Sequence, residues 1–308
     1  MFVIKYKNLF FLLSGILILG SLGAFLMFGL HLGTDFTGGS ILEVSYLSTS
    51  LGASPARPPV ESVRANLDQL NLGHIAIQPA GESDFILRSR AINQEEKQAV
   101  LQALAVGESR PVEKRFSSIG PVLGQELAKK GIWAVALVML LIILFITFAF
   151  RKVSKPVSSW KYGIIALVAL LHDIIIPTGV FAVLGRYYGV EIDALFLTGL
   201  LTILGLSIHD TIVVFDRIRE NLRQHAEPHP PGSRAGFADT VGKSLSETFT
   251  RSINTSLTII LVLVILFFFG AESTKYFSLL MAVGVLVGTY SSIFIASPLL
   301  VVWNRNRG

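Results

Sequence analysis

The 308-residue chain has no cysteine and little charge. Without a thiol there is no disulfide, no thiolate nucleophile and no cysteine metal ligand, and cysteine usage marks no redox compartment. Asp, Glu, Lys and Arg make up 15% of the residues, against about 25% in an ordinary soluble domain. These 47 charges are uneven, with residues 31–130 holding 21 and the other 208 residues only 26. A soluble protein so depleted over two thirds of its length would present an apolar surface. The net charge of +5 is weak for this length, and its placement points to a membrane, not to nucleic acid. No metal cluster, phosphate loop or hydrolase triad stands out, so neither a metal, a cofactor nor an enzymatic reaction is expected.

What the chain has in abundance is apolar length. Six windows approach the roughly 20 apolar residues that a bilayer crossing takes. Leu9–Leu30, Ile132–Phe150, Ile253–Ala271 and Tyr276–Trp303 carry no charge. Gly163–Leu184 is interrupted by His172 and Asp173, and Ala194–Phe215 by His209 and Asp210. The first window is longer than a signal peptide's apolar region and no small-residue cleavage site follows it, so it reads as a retained helix. Lys5 and Lys7, Arg151 to Lys161, Arg217 to Arg251, and Arg305 with Arg307 fall on one side of the six spans. The positive-inside rule makes that side, and both termini, cytoplasmic. The expected organisation is residues 1–30 as N-terminus and first helix, 31–130 as an extracytoplasmic domain, 131–215 as helices two to four, 216–250 as a cytoplasmic loop with an amphipathic helix, 251–303 as helices five and six, and 304–308 as a tail.

The polar insert alternates elements. Ile41–Tyr46 reads as a strand with Leu42, Val44 and Tyr46 on one face. Pro58–Asn71 reads as a helix with Val60, Val63, Leu67 and Leu70 on one face. Ile75–Gln78 and Phe85–Arg88 are short strands flanking the turn-rich Pro79–Glu82. Asn93 and Glu96 form a capping box ahead of Val100, Leu101 and Leu104, and Val112–Phe116 completes the series. The order β-α-β-β-α-β predicts a ferredoxin-like α+β domain between helices 1 and 2 of an α-helical polytopic membrane protein. The Gly52–Arg57 stretch reads as loop.

Ionisable residues inside a span are costly and line pathways or pair with one another. Asp173 falls near the middle of the third span, and Pro177 at i+4 frees its carbonyl from the helical hydrogen bond. In the fourth span, Thr198, Thr202, Gly205 and His209 share a face, flanked by Ser207, Asp210 and Thr211, a small and polar stripe that admits a neighbouring helix or water. Asp210 sits toward the cytoplasmic end, in position to exchange protons. The fifth span opens with Thr248, Arg251, Thr255 and Thr258, and Arg251 keeps its charge at any accessible pH. Phe237, Val241 and Leu245 upstream predict an amphipathic helix on the cytoplasmic surface. Gly284, Gly288, Ser292 and Ala296 form a packing seam along the sixth span.

Five motifs carry a resemblance. Asp35-Phe36-Thr37-Gly38-Gly39 follows the first span, and Ser118-Ile119-Gly120-Pro121, with Gly124, Glu126 and Leu127, precedes the second. His172-Asp173 lies in the third, the run Gly205–Asn221 ends the fourth, and Arg251–Thr258 opens the fifth. Together, over essentially the whole chain, they resemble the SecF family, the smaller subunits of the bacterial SecD–SecF export complex, which is related to the resistance-nodulation-division transporters. The resemblance implies a multi-pass protein of the bacterial inner membrane that uses the proton-motive force to complete preprotein export. It implies a SecD-like subunit, the SecYEG translocon, YajC and preproteins as partners, besides the lipid bilayer. It makes Asp210 the proton carrier, Arg251 its electrostatic partner, and Asp173, His209 and Thr255 neighbours on the pathway, with Asp35, Gly38, Gly39, Gly120 and Pro121 as a structural motif. His209 is Asn in some members, so the resemblance does not make it an obligatory relay. Two other readings remain: a proton-coupled small-molecule exporter, which one six-helix half and one insert of about 100 residues leave little room for, and a scaffold whose buried charges fix helix register.

Overall fold

Long apolar runs have to pair every backbone N–H and C=O internally if they are to sit in hydrocarbon, and helices do so within one segment. The computed structural model describes residues 2–46, 57–73, 75–106, 109–151, 157–224 and 234–305. The Gly52–Ala56 part of the expected loop, the Pro-rich stretch His225–Gly232, Lys152, Lys155 and Arg307 lie outside the described residues. The chain divides into two compact units, one of Met1–His31 with Trp133–Gly308 and one of Leu32–Ile132.

In chain order, a short turn α1 (Phe2–Lys5) leads into α2 (Lys7–Phe28). The insert follows as α3 (Thr34–Thr37), β1 (Gly39–Tyr46), α4 (Val60–Asp68), β2 (Ala76–Ala80), β3 (Asp84–Ser89), α5 (Gln94–Ala103) and β4 (Pro111–Ile119). Then come α6 (Pro121–Ala149), α7 (Ser159–Tyr188), α8 (Ala194–Gln224), α9 (Arg234–Phe269) and α10 (Glu272–Ser291). A π-helical turn over Ser292–Ala296 joins α10 to α11 (Ser297–Arg305). Among the described residues, six helical stretches are long and apolar enough to cross a membrane: α2, α6, α7, α8, α9, and α10 with its continuation.

Helices α7 and α10 are the most buried of the six, while α2, α6 and α9 expose most of their apolar side chains. Small residues permit the closest approaches. A side chain at Gly179 would strike Ser21 of α2, one at Gly284 would strike Ile203, and one at Gly288 would meet Ser207 of α8. The seam read from the sixth span therefore packs α10 on α8. Pro177 leaves α7 unbroken, because neighbouring helices hold the segment in place.

Two expectations about the cytoplasmic segment change. Residues 216–224 are the end of α8, and α9 starts at Arg234 and continues into the fifth span without interruption. Phe237, Val241 and Leu245 are buried in one cluster with Phe215, Ile218 and Leu300. The i, i+4 apolar face is real, but it packs on protein and not on a lipid surface.

In the insert the four strands are ordered β2-β3-β1-β4, every neighbouring pair antiparallel. Leu42, Val44 and Tyr46 alternate into a core shared with Val63 and Leu67 of α4, Phe85 and Leu87 of β3, and Val100 and Leu104. Both halves of the capping box are present: Glu96 N donates to Asn93 Oδ1 at 2.9 Å and Asn93 N to Glu96 Oε2 at 3.0 Å. Burial pushes the Tyr46 hydroxyl up to about 12, so it remains a donor to the Leu104 carbonyl at 2.8 Å. Strand β4 runs to Ile119, beyond the Phe116 end that alternation indicates. Its extra residues pair with Gly39–Ile41 of β1, where Ser40 and Ser118 hydroxyls meet at 2.7 Å.

Candidate functional site: two carboxylates in the helical unit

Asp173 is fully buried, with 0% of its surface exposed. A carboxylate removed from water needs donors for its oxygens, and three helices contribute to its surroundings. His172 Nδ1 lies 2.9 Å from Oδ1. Oδ2 accepts from Ser291 of α10 at 2.8 Å and from Ser207 of α8 in a shorter bond. The Ser291 hydroxyl has an alternative acceptor, the Gly288 carbonyl at 3.0 Å. His172 is itself buried, its ring stacked on Tyr290 at 6.0 Å between centroids, and its Nε2 has no hydrogen-bond partner among the described residues. Further hydroxyl pairs tie α10 and the π-helical turn to their neighbours: Thr289 to Ser256 of α9 at 2.5 Å, and Ser292 to Thr211 of α8 at 2.8 Å.

Asp210 has a different setting. It is half-buried and makes no hydrogen bond or ion pair among the described residues. It lines a cavity of about 30 Å³ together with Ser207, His209, Thr255, Ser256, Gly288 and Thr289. That volume accommodates a water molecule, and the lining supplies polar partners for it. The cavity thus gathers Asp210, His209 and Thr255 from the expected set. Asp173 is joined to it through Ser207, which lines the cavity and also donates to Asp173.

Arg251 is exposed on α9 and makes no ion pair with Asp210 among the described residues. Thr198, Thr202, His209, Asn254, Thr255 and Thr258 are also exposed. The hydroxyls of Thr198, Thr202 and Thr258 donate back to carbonyls four residues earlier in their own helices, which spares them a desolvation penalty. His209 and Arg251 have no such remedy, and two polar side chains at this depth call for a partner surface or water.

The glycine motif builds a tight junction inside the insert. Gly38 has φ +80°, and a Cβ on it would come within 2.5 Å of Pro121 Cα. Gly124 packs as closely on the backbone of Phe36 and Gly38. Entry and exit chains of the insert therefore lie backbone to backbone, Thr34–Gly39 against Gly120–Gly124. Asp35 lies in the first turn of α3. Among the described residues no group of three or more His, Asp or Glu side chains is placed to hold a metal ion.

Sequence reasoning assigned no role to Ser291 or Thr289, and left His172 as part of a motif without a function. A signal existed: Thr289, Tyr290, Ser291 and Ser292 are consecutive hydroxyl residues in an otherwise apolar span.

Comparison with solved structures identifies the architecture. The chain superimposes on the crystal structure of SecDF, a translocon-associated membrane protein, from Thermus thermophilus, with a TM-score of 0.78 and 28% identity, over 98% of this chain and 38% of that one. SecDF in its super-membrane-facing form matches at a TM-score of 0.63 and 30% identity, over 100% of this chain and 39% of that one. The fold is that of a SecDF-type polytopic membrane protein.

Residues 100–306 match the family model "Protein export membrane protein SecD/SecF, C-terminal", and residues 23–46 match the SecD/SecF GG motif. The protein translocase subunit SecF of Thermobaculum terrenum is 41% identical over 98% of this chain and 94% of its own length. The SecF of Anaerolinea thermophila is 36% identical over 98% and 93%. The SecDF of Bacillus subtilis is 32% identical over 96% of this chain but 37% of its own. The chain belongs to the SecF family of protein translocase subunits. These relatives carry the names of translocase subunits, not of enzymes.

Proposed function

We propose that this chain is the SecF half of an inner-membrane complex that uses the proton-motive force to drive late steps of preprotein export, with Asp210 as the proton carrier. The observation that carries the reading is the Asp210 carboxyl group, half-buried without a hydrogen bond or ion pair beside a cavity the size of a water molecule. A carboxyl group so placed can take and give a proton without breaking a structural contact. One charge crossing 100 mV makes about 2.3 kcal/mol available, enough to bias a two-state equilibrium more than tenfold. Arg251 is the positive charge nearest this carboxyl group in the reading, and His209, Thr255 and Asp173 belong to the same pathway.

In this reading the termini and the segment around residues 216–250 are cytoplasmic, and the ferredoxin-like insert lies outside. The exposed His209 and Arg251 face a SecD-like subunit, a reading supported by the SecDF chains, of which this chain matches 37–39%. SecYEG supplies the emerging preprotein, and YajC is a further partner. The junction of Asp35, Gly38 and Gly39 with Gly120 and Pro121 keeps both ends of the insert moving as one piece. The test is Asp210→Asn in the complex with its SecD-like subunit, in inverted vesicles carrying SecYEG. Export under a proton gradient should fall to the rate measured without one, while the complex still co-purifies. Wild-type export by this variant overturns the reading.

A further inference from the structure

We propose that Ser207 is a proton-relay residue joining the Asp210 cavity to a second protonatable site, the buried Asp173–His172 pair. This rests on the proton-carrier reading of Asp210 and deepens it. Ser207 is 4% exposed and faces two ways: it lines the cavity that holds Asp210, and its hydroxyl donates to Asp173 Oδ2. No other residue among those described does both. Ser291 donates to the same oxygen but does not line the cavity.

The transfer balances without any added reagent. The Asp210 carboxylic acid gives its proton to the water that the cavity accommodates and becomes a carboxylate. That water passes a proton to Ser207 Oγ as the existing Ser207 O–H bond breaks toward Asp173 Oδ2. Ser207 ends neutral and Asp173 becomes a carboxylic acid. The new acid proton takes the lone pair that had accepted from Ser207 and points back at Ser207 Oγ, while Ser291 keeps its bond to the other lone pair of Oδ2. On the far side, His172 Nδ1 stands 2.9 Å from Oδ1, and the buried Nε2 has no partner.

The groups that bear on this pair come from every helix around it. His172 is on α7, Tyr290 on α10, and His209 and Asp210 on α8, with Arg251 on α9 beyond the cavity. Helix α2 brings Ser14, which hydrogen-bonds Tyr290 at 3.4 Å. The two carboxyl groups have different surroundings, so an assay has to resolve them individually.

The test uses the full chain purified with its SecD-like subunit, followed by time-resolved infrared difference spectroscopy after a pH jump. Asp173→Asn should delete one carboxylic-acid C=O band, distinct from the band that Asp210→Asn deletes. Ser207→Ala should slow the appearance of the Asp173 band about a hundredfold, the low end of what a positioned proton-transfer group contributes. Ser291→Ala removes a hydrogen bond from the same oxygen and should leave the rate near wild type. Equal slowing by the two serine variants means a merely structural role and overturns the proposal. So does a wild-type spectrum with no band that Asp173→Asn removes. If Asp173→Asn fails to assemble, Asp173→Glu identifies the band by shifting its frequency, and the serine pair then decides. Failure of the export reading would show separately, in the export assay on Asp210→Asn.

Discussion

Replacing Gly38 by alanine tests the junction at the base of the insert. The residue has φ +80° and ψ 147°, a nearly glycine-only region of backbone space where a Cβ costs roughly 1–2 kcal/mol or more. The same Cβ would lie 2.5 Å from Pro121 Cα, 2.7 Å from Pro121 N and 3.2 Å from Gly120 C. All three are backbone atoms that cannot rotate aside, and ordinary carbon contacts begin near 3.5 Å. The two chains must part by about 1 Å, which at the usual cost of overpacking adds about 1–3 kcal/mol. The total, about 2–5 kcal/mol, is a large fraction of a domain's stability. Hydrogen exchange of the β1 and β4 amides in the full chain is the assay, since it reads local opening without assuming two-state unfolding. At about 1.4 kcal/mol per decade, protection should fall roughly thirtyfold to several thousandfold. Gly81 is the control: it has φ +57° but nothing within 4 Å of its Cβ position, so Gly81→Ala should show only the conformational part. If Gly38→Ala loses no more protection than Gly81→Ala, the close approach to Pro121 is not what the motif provides.

Other outcomes follow from the same geometry. Because the chain has no cysteine, a single Cys in place of Glu82 should react with an impermeant thiol reagent in intact spheroplasts, and one in place of Arg223 should not; reversed labelling overturns the proposed orientation. Asn93→Ala should destabilise α5 by about 1 kcal/mol through loss of the capping box, read as faster exchange confined to its first turn. Hydrogen bonds from Arg90 and the Asn93 backbone hold Glu96 below the usual carboxylate range. Burial pulls Asp84 upward, but the hydrogen bonds from Lys114, Ser45 and Ser83 outweigh it and hold it low as well. Both folded values are depressed, so their stabilisation is present above the ordinary carboxylate range and is lost as pH falls through the folded values. Exchange protection in the insert should therefore decline below about pH 4, and Lys114→Met should remove part of that dependence.

Much of this architecture is legible in the sequence because its signals are local. Apolar length marks every span, period-two alternation marks β1, and the Asn93–Glu96 spacing marks the cap of α5. What escapes is what depends on partners distant in sequence. The face of Phe237, Val241 and Leu245 has the same periodicity whether it rests on lipid or on Phe215 and Ile218, and here it rests on protein. The end of β4 is set by pairing with β1, which no alternation within β4 records. In the helical unit, Asp173 and Asp210 stand out from sequence alone as carboxyl groups in apolar spans. The donors of Asp173 do not, because Ser207 and Ser291 lie 34 and 118 residues away.

That difference in surroundings separates the roles of the two carboxyl groups. A carboxylate held by two serine hydroxyls and a histidine is expensive to disturb, since removing one donor leaves a buried acceptor unpaired at about 1–3 kcal/mol. Asp173 thus ties α7 to α8 and α10 through the two serine hydroxyls. Asp210 makes no side-chain hydrogen bond or ion pair among the described residues, so a change in its charge breaks no such contact. The hydroxyl of Ser207 belongs to both settings. If Asp210 carries the proton as proposed, its protonation removes a negative charge beside α9, and through Ser207 it reaches the contacts that hold α8 to α7 and α10. Of the three helices beside the cavity, α9 is the most exposed, yet Ser256 still ties it to Thr289 of α10.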